Sequence, residues 1–209
     1  MTEECSKLHK LFSSMRRFSF PFNEHEIPKD GIYIVFENGE KAHGVDRIVR
    51  IGTHNGENQL ISRLRQHFIN ENKDRSIFRK NIGRAILARE NDSFIKSWEI
   101  DLTTKKSKQD NKDIDLIKQK EIENKVTNYM QSNFNFVVFE IKDKTKRLEL
   151  ESKIISTISL CPECCPSKTW LGLNSPKEKI RKNGLWLVNE LFKTPFSKEE
   201  LERFVLIVI

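Results

Sequence analysis

A carboxylate interrupts an apolar helical stripe in the second half of the chain. The segment 144–160 has helical periodicity, and Leu148, Ile155 and Ile158 fall on one face of it. Position 151 lies on the same face, yet it is Glu151. A carboxylate on a core-facing stripe costs free energy unless it is paired, protonated or bound to a metal. The position therefore predicts either a partly buried ion pair with an arginine or a metal ligand.

A guanidinium and an imidazole share a face of an earlier predicted helix. Arg63 and His67 stand four residues apart within the segment 59–70, so their side chains project together. This pair suits phosphate binding and proton transfer. An exposed pair on the polar flank of a helix would have the same spacing, so this pattern alone leaves both interpretations open.

Two strand residues complete the set of candidates. Tyr33 alternates with Ile32 and Ile34, so we expect its hydroxyl to leave the isoleucine-lined face of its strand and to be available to a site. Arg50 lies between Val49 and Ile51 on the next predicted strand. Each residue is commonplace alone, and their occurrence together is what indicates a site.

Strand and helix patterns follow one another along the chain. They predict strands at 31–37, 47–51 and 134–141, and helices at 59–70, 76–89, 114–131 and 144–160. We expect an α/β protein of the α+β type, in which a small, mostly antiparallel three-stranded sheet is flanked by helices.

The same pass along the chain predicts its division into parts. We expect an N-terminal arm at 1–26, a domain at 27–160 and a C-terminal extension at 161–209 that packs on the domain. The polar segment 103–113 has the composition of an exposed, structureless insertion. The apolar run 204–209 predicts a buried strand or an interface, which makes dimerisation conceivable and leaves the oligomeric state open.

Charge indicates a polyanionic partner. The 209 residues include 37 Lys and Arg against 30 Asp and Glu, a formal net charge of +7. Ten basic and three acidic residues lie between positions 47 and 89, so this window carries the whole surplus. Nucleic acid is the commonest partner of such a region, although a solvated helical face is the alternative. No apolar stretch reaches the ~18 residues of a membrane span, and no signal peptide is recognisable, so we expect a cytoplasmic protein.

Three of the four cysteines are crowded into Cys161-Pro-Glu-Cys164-Cys165, with Cys5 far away in the sequence. A structural zinc site normally needs four ligands, and here only Cys5, His9 or another remote histidine could complete it. We therefore expect a loop with free thiols rather than zinc.

Four blocks of residues resemble the GIY-YIG nuclease superfamily in the order in which that family has them. The blocks are Gly31-Ile-Tyr33, Arg50-Ile-Gly52, the segment 60–68 with Arg63 and His67, and Glu151-Ser-Lys-Ile-Ile155. The resemblance spans about residues 28–160. Further blocks at 50–54, 76–79 and 170–186 are similar to a subgroup with Arg-Ile-Gly in place of Tyr-Ile-Gly.

The resemblance implies a metal-dependent endonuclease that hydrolyses phosphodiester bonds, with DNA rather than RNA as the expected substrate. It implies that Tyr33 activates water, that Arg63 holds the phosphate beside His67, and that Glu151 binds Mg²⁺ or Mn²⁺. It further implies nucleic-acid contacts, which we assign to His54, Arg65, Arg79 and Asn174, the last as the match to the family's asparagine downstream of the glutamate.

The chain departs from the family pattern at one position, since the second motif tyrosine is Arg50. An arginine can contact phosphate and lower the pKa of Tyr33, but it cannot replace the proton relay of a phenol. The alternatives are a catalytically silent nucleic-acid-binding module of the same fold and an interaction protein whose basic surface meets an acidic protein.

Overall fold

The computed structural model describes residues 2–208 of the chain, so Met1 and Ile209 lie outside the described residues. The strands are β1 (Phe18–Ser19), β2 (Gly31–Ala42), β3 (Val45–Gly52) and β4 (Phe134–Glu140). The helices are α1 (Thr2–Ser14), α2 (Leu60–Phe68), α3 (Ile77–Arg89), α4 (Ile95–Trp98), α5 (Lys105–Asp110), α6 (Leu116–Asn133), α7 (Lys144–Ser159), α8 (Glu178–Asn183) and α9 (Lys198–Val208). Within residues 2–208, no helix combines the length and the apolar character that a membrane span requires.

The strands form an antiparallel sheet in the order β1-β4-β2-β3, which confirms the predicted α+β class. The strand β2 lies between β3 and β4, and Tyr33 on β2 stands opposite Gly52 and Val138. The sheet has four strands where the sequence predicts three. The additional strand, β1, pairs only Phe18 and Ser19 with β4, and two residues are too few to show an alternating pattern.

Both faces of the central strand β2 are buried. Ile32, Ile34 and Phe36 pack into a cluster with residues of α1, α7 and α9. Tyr33 and Val35 point the other way, into a second cluster with residues of α2, α3 and α6. The predicted alternation along β2 is confirmed, but the face that carries Tyr33 is a core face as well.

Two segments differ from their sequence-based expectation. The segment 103–113, expected to lack structure, contains α5, whose first turn is capped by the Thr104 hydroxyl. The apolar run that begins at Phe204, expected to form a buried strand or an interface, forms the end of α9 as far as residue 208, so the strand is wrong and the interface stays a prediction. Ser197 and Glu200 form a reciprocal capping box that starts this helix, and a capping box is a sequence signal for a helix rather than a strand.

The C-terminal extension is fastened to the sheet through one carboxylate. Glu37 on β2 is buried and accepts hydrogen bonds from the indoles of Trp170 and Trp186, at 2.7 and 2.8 Å. The hydroxyl of Tyr129 on α6 donates to the same carboxylate. Burial raises the pKa of Glu37, and the three donors oppose that rise. Both tryptophans are therefore core residues.

Replacing Glu37 by alanine should destabilise the protein by about 3 kcal/mol, because three buried donors would lose their acceptor. Urea unfolding followed by tryptophan fluorescence measures the loss. Glu140→Ala is the matched control, since Glu140 is an exposed carboxylate at the end of the neighbouring strand. Equal stability of the two variants would show that the contacts of Glu37 do not hold the extension in place.

Candidate active site

A cavity of about 490 Å³ opens where the edge strand β3 meets α2, α3, α7 and the segment after α8. Its lining is about equally polar and apolar, and the polar residues are Arg50, Thr53, Asn55, Arg63, Asn81, Glu151, Asn189 and Glu190. Three predicted site residues, on β3, α2 and α7, therefore meet here although 101 positions separate Arg50 from Glu151.

Glu151 reaches this cavity from the third turn of α7. The helix begins at an N-cap, Asp143, and its buried apolar side chains, such as Leu150 and Ile154, face the core. Leu148 and Glu151 lie on the neighbouring face, which borders the cavity, and Leu148 is partly exposed. The predicted stripe faces the core at Ile155 and Ile158, as expected, but the expectation is wrong at Leu148 and Glu151. They line the cavity, which is why a carboxylate can occupy position 151.

Burial raises the pKa of the Glu151 carboxyl to about 7. The positive charge of Arg50 and a backbone hydrogen bond from Thr53 oppose the rise, while the negative charge of Glu190 adds to it. The carboxylate thus carries a charge that its surroundings do not fully compensate. A cation in the cavity would relieve both the desolvation and the repulsion from Glu190.

Two buried donors at the cavity have no hydrogen-bond partner. The Arg50 guanidinium donates to the backbone oxygen of Trp186 and lies 4.7 Å from the centre of the Phe78 ring. Its Nε atom is unpartnered, as is Nδ2 of Asn81. Buried donors are normally satisfied, and both of these belong to residues that line the cavity, so an acceptor bound there would satisfy them.

Arg63 extends the polar surface beyond the cavity. Its guanidinium donates to the side chain of Gln66 at 2.9 Å and to the backbone oxygen of Arg75 at 3.1 Å. A second depression of about 240 Å³ shares Thr53, Asn55 and Arg63 with the cavity. All the side chains that line this depression are polar, as a surface that follows a charged backbone requires.

Tyr33 and His67 form a buried hydrogen-bonded pair. The Tyr33 hydroxyl lies 2.8 Å from Nε2 of His67, and Nδ1 of His67 lies 2.7 Å from the hydroxyl of Ser76. Burial, with the charge of nearby arginines, holds the pKa of His67 well below its usual value, so the imidazole is neutral. The Tyr33 hydroxyl packs against Gly52, where a Cβ would lie only 2.1 Å from it. Gly52 stands between two residues that line the cavity, Ile51 and Thr53.

The four residues expected to contact nucleic acid lie in different surroundings. His54 is buried, accepts a hydrogen bond from the backbone of Gly31 and borders the polar depression. Arg65 is exposed and pairs with Glu24. Asn174 is exposed and donates to the backbone of Leu171, outside the cavity lining.

Arg79 is not available for contact with a ligand. Its guanidinium has no exposed surface, and it binds the carboxylate of Glu123 as well as the backbone oxygen of His67. These contacts join α3 to α6, and loss of the arginine would leave the Glu123 carboxylate buried without its partner. The structure therefore does not support the expected contact between Arg79 and a phosphate.

Most of the basic window is likewise engaged in ion pairs. At least six of its ten cations pair with carboxylates, namely Arg47, Arg65, Lys73, Arg79, Lys80 and Arg84. The local charge surplus in the sequence thus overstates the basic surface of the folded protein. The cations that matter for a ligand are Arg50 and Arg63, which line the cavity.

Sequence reasoning missed five polar residues of the cavity, of which Thr53 and Asn55 lie in the loop after β3. Asn81 lies on α3, while Asn189 and Glu190 follow an apolar stretch of the C-terminal extension. Glu190 has a positive φ of 63°, a backbone conformation that non-glycine residues rarely adopt. The sequence offered one signal, a polar pair directly after the apolar residues 185–188, but this pair does not reveal its distant neighbours.

The fold is of the α+β class, and a carboxylate and two guanidinium groups line one cavity. A family model described as GIY-YIG domain matches residues 3–208. The chain therefore belongs to the GIY-YIG nuclease superfamily, whose members are endonucleases, and nuclease-type function follows from this membership. Searches of curated proteins and of solved structures found no significant match.

Replacing Glu151 by glutamine should stabilise the metal-free protein at pH 8 but not near pH 4.5. Because the folded-state pKa is raised from 4.5 to about 7, the wild type loses stability as the pH rises through this range. The gain above pH 7 should be roughly 2 kcal/mol after allowance for partial exposure. Chemical unfolding across this pH range, in buffer with a chelator, measures it.

The exposed neighbour Glu149 provides the control, since Glu149→Gln should leave the pH dependence of the wild type unchanged. A pH-independent difference between wild type and Glu151→Gln would mean that the carboxyl at 151 is not desolvated.

Proposed function

We propose that this protein is a metal-dependent endonuclease that hydrolyses phosphodiester bonds of DNA in the cavity between β3, α2 and α7. One observation carries the proposal: a half-buried carboxylate with a raised pKa, Glu151, shares a cavity with two guanidinium groups, Arg50 and Arg63. A site for a cation beside a site for an anion is what hydrolysis of a phosphodiester requires.

The oxygen ligands of the cavity fit a hard divalent cation. Glu151 and Glu190 offer carboxylates, and Asn189 and Asn55 offer amide oxygens. Mg²⁺ and Mn²⁺ prefer such ligands, and the raised pKa of Glu151 reflects a charge that lacks compensation. We assign the metal to Glu151, with Glu190 as the second carboxylate. When bound there, the cation would stabilise negative charge on the reacting phosphate and on the leaving oxygen.

The guanidinium groups would hold the phosphate. Arg50 Nε and Asn81 Nδ2 are buried donors without a hydrogen-bond partner, and a phosphate oxygen is an acceptor of the required kind. Arg63 lies where the cavity joins the polar depression, so it can bind the scissile phosphate while the depression holds the adjoining backbone. His54 lines this depression, whereas Arg65 stands two positions after Arg63 on α2, so it projects from another face of the helix, where it pairs with Glu24.

Tyr33 would serve as the base that activates water, as the family resemblance implies, with His67 as its partner. The neutral His67 is hydrogen-bonded to the Tyr33 hydroxyl and orients it, whereas its low pKa makes it a poor proton acceptor. The hydroxyl lies against Gly52, whose chain neighbours Ile51 and Thr53 line the cavity. Arg50 occupies the position of the second family tyrosine, so in this chain it contributes charge rather than a second phenol.

Glu151→Ala should abolish cleavage of plasmid DNA in Mg²⁺ or Mn²⁺, because the cation would lose its carboxylate ligand. Removing a metal ligand commonly lowers the rate by at least ~100-fold. Glu149→Ala, on the exposed face of the same helix, should cut like the wild type. Labelled plasmid, branched DNA and RNA substrates, analysed on gels, show the activity and its preference.

The possible results separate the candidate functions. Cutting that survives Glu151→Ala would refute the assigned site. Salt-sensitive DNA binding without cutting by the wild type would identify the silent binding module, which the replacement of the motif tyrosine by Arg50 favours. Absence of binding would favour the interaction protein.

Asn189→Ala should reduce cleavage by roughly 10-fold or more, since Asn189 lines the cavity with Glu151. Asn174→Ala should leave the rate unchanged, because the exposed Asn174 lies outside this lining. Single-turnover cleavage rates of the two variants measure the difference. The reverse order of effects would restore Asn174 as the functional asparagine.

A further inference from the structure

A second cluster of reactive side chains lies on the opposite side of the sheet from the Tyr33–His67 pair. It comprises Cys5 on α1, His43 in the turn between β2 and β3, and Cys161 and Cys164 after α7. Their ligand atoms all lie within 4.8 Å of one another. The three cysteines are buried, and none of the four residues lines the candidate active site. The proposed nuclease activity therefore assigns no role to this cluster.

The spacing within the cluster matches a tetrahedral metal site. With Zn–S bonds of about 2.3 Å and Zn–N bonds of about 2.0–2.1 Å, tetrahedral ligands stand about 3.8 Å (S to S) and about 3.6 Å (S to N) apart. Sγ of Cys5 lies 3.5 Å from Sγ of Cys164. Nε2 of His43 lies 3.6 Å from Sγ of Cys161 and 3.7 Å from Sγ of Cys164. Three of the six ligand-to-ligand distances thus match the separations that one zinc ion imposes, and all six are within 4.8 Å.

His43 is placed for ligation by an unusual backbone position. It is the first residue of a two-residue turn in which His43 and Gly44 have φ angles of 52° and 79°. Turns of this kind favour asparagine or glycine at the first position, so a histidine there is retained at a conformational cost. Nδ1 of His43 lies 3.8 Å from the Glu163 carboxylate, and a carboxylate behind the ligating ring is the usual outer partner of a metal-bound histidine.

His9, the other histidine near the cluster, is already engaged. Its Nδ1 lies 2.9 Å from the backbone oxygen of Cys5, and its Nε2 accepts a hydrogen bond from the backbone of Ile48 at 3.2 Å. With Nδ1 as the donor and Nε2 as the acceptor, His9 has no lone pair left for a metal. Its Nε2 lies 3.5 Å from Sγ of Cys164, so His9 borders the cluster without being a ligand.

We propose that Cys5, His43, Cys161 and Cys164 bind one structural zinc ion. The three thiols release their protons to solvent as three Zn–S bonds form, and the imidazole binds through Nε2, so no oxidant or reductant takes part. All four positions of the tetrahedron are protein ligands, which is typical of a structural rather than a catalytic site.

The ion would join parts of the chain that are far apart in the sequence. Cys5 and Cys164 are separated by 159 positions, and His43 adds the tip of the central hairpin. One zinc ion thus holds α1, the sheet and the start of the C-terminal extension together. Because such a cross-link exists only in the folded chain, its binding free energy adds to the stability of the fold.

Zinc analysis of the purified, reduced protein should give about one zinc per chain, and this value should fall towards zero in Cys164→Ser. Cys165→Ser is the matched control, because Cys165 is exposed and its Sγ contacts only the backbone of Pro162. Cobalt(II) added to the metal-free protein should give the intense visible bands of a tetrahedral thiolate site in the wild type and in Cys165→Ser, but not in Cys164→Ser.

His43→Asn tests the site without a cysteine change. Asparagine suits the positive φ at position 43, so the variant should fold, while its affinity for zinc in competition with a chromophoric chelator should fall by more than about 100-fold. Unchanged affinity of His43→Asn would overturn the ligand set. Absence of zinc and of cobalt bands in the reduced wild type, or a disulfide between Cys5 and Cys164 in place of metal, would overturn the site itself.

Discussion

The structure depends on one constraint, the burial of both faces of the strand β2. A buried strand must satisfy its polar side chains inside the protein, because water cannot reach them. Tyr33 does so through His67 on one helix, and Glu37 does so through Tyr129, Trp170 and Trp186. These contacts decide where α2 lies and how the C-terminal extension packs. The position of α2 in turn places Arg63 at the cavity, so the same constraint positions the candidate site.

The groups of the cavity differ from those of the strand because the protein leaves them incompletely satisfied. Arg50 Nε and Asn81 Nδ2 have no acceptor, and the Glu151 carboxyl has a raised pKa. The buried charges of Arg79 and Glu123, by contrast, are closely paired. A folded protein can keep buried groups that cost free energy in this way where the binding of a ligand offsets that cost. The contrast between paired and unpaired charges, rather than the total charge of the chain, is what distinguishes the site.

The terminal segments are integral to this member of the family. The family model spans residues 3–208, whereas the motif resemblance covers only about 28–160. Glu190 of the extension contributes to the cavity, Trp186 accepts from Arg50, and the cysteine cluster connects the extension with α1. The extension thus contributes residues to both the candidate active-site cavity and the proposed metal cluster.

The sequence by itself determined what depends on neighbours along the chain. Period-two and helical patterns located the main strands and helices, and the ordered blocks around Tyr33, Arg63 and Glu151 indicated the family, because these signals are local. Only the tertiary structure decided which charged side chains line the cavity. It paired Arg79 with Glu123, brought Asn189 rather than Asn174 to the cavity, and assembled Cys5 with His43 and Cys164. Such pairings depend on contacts between residues that are distant in the chain, and no local pattern specifies them.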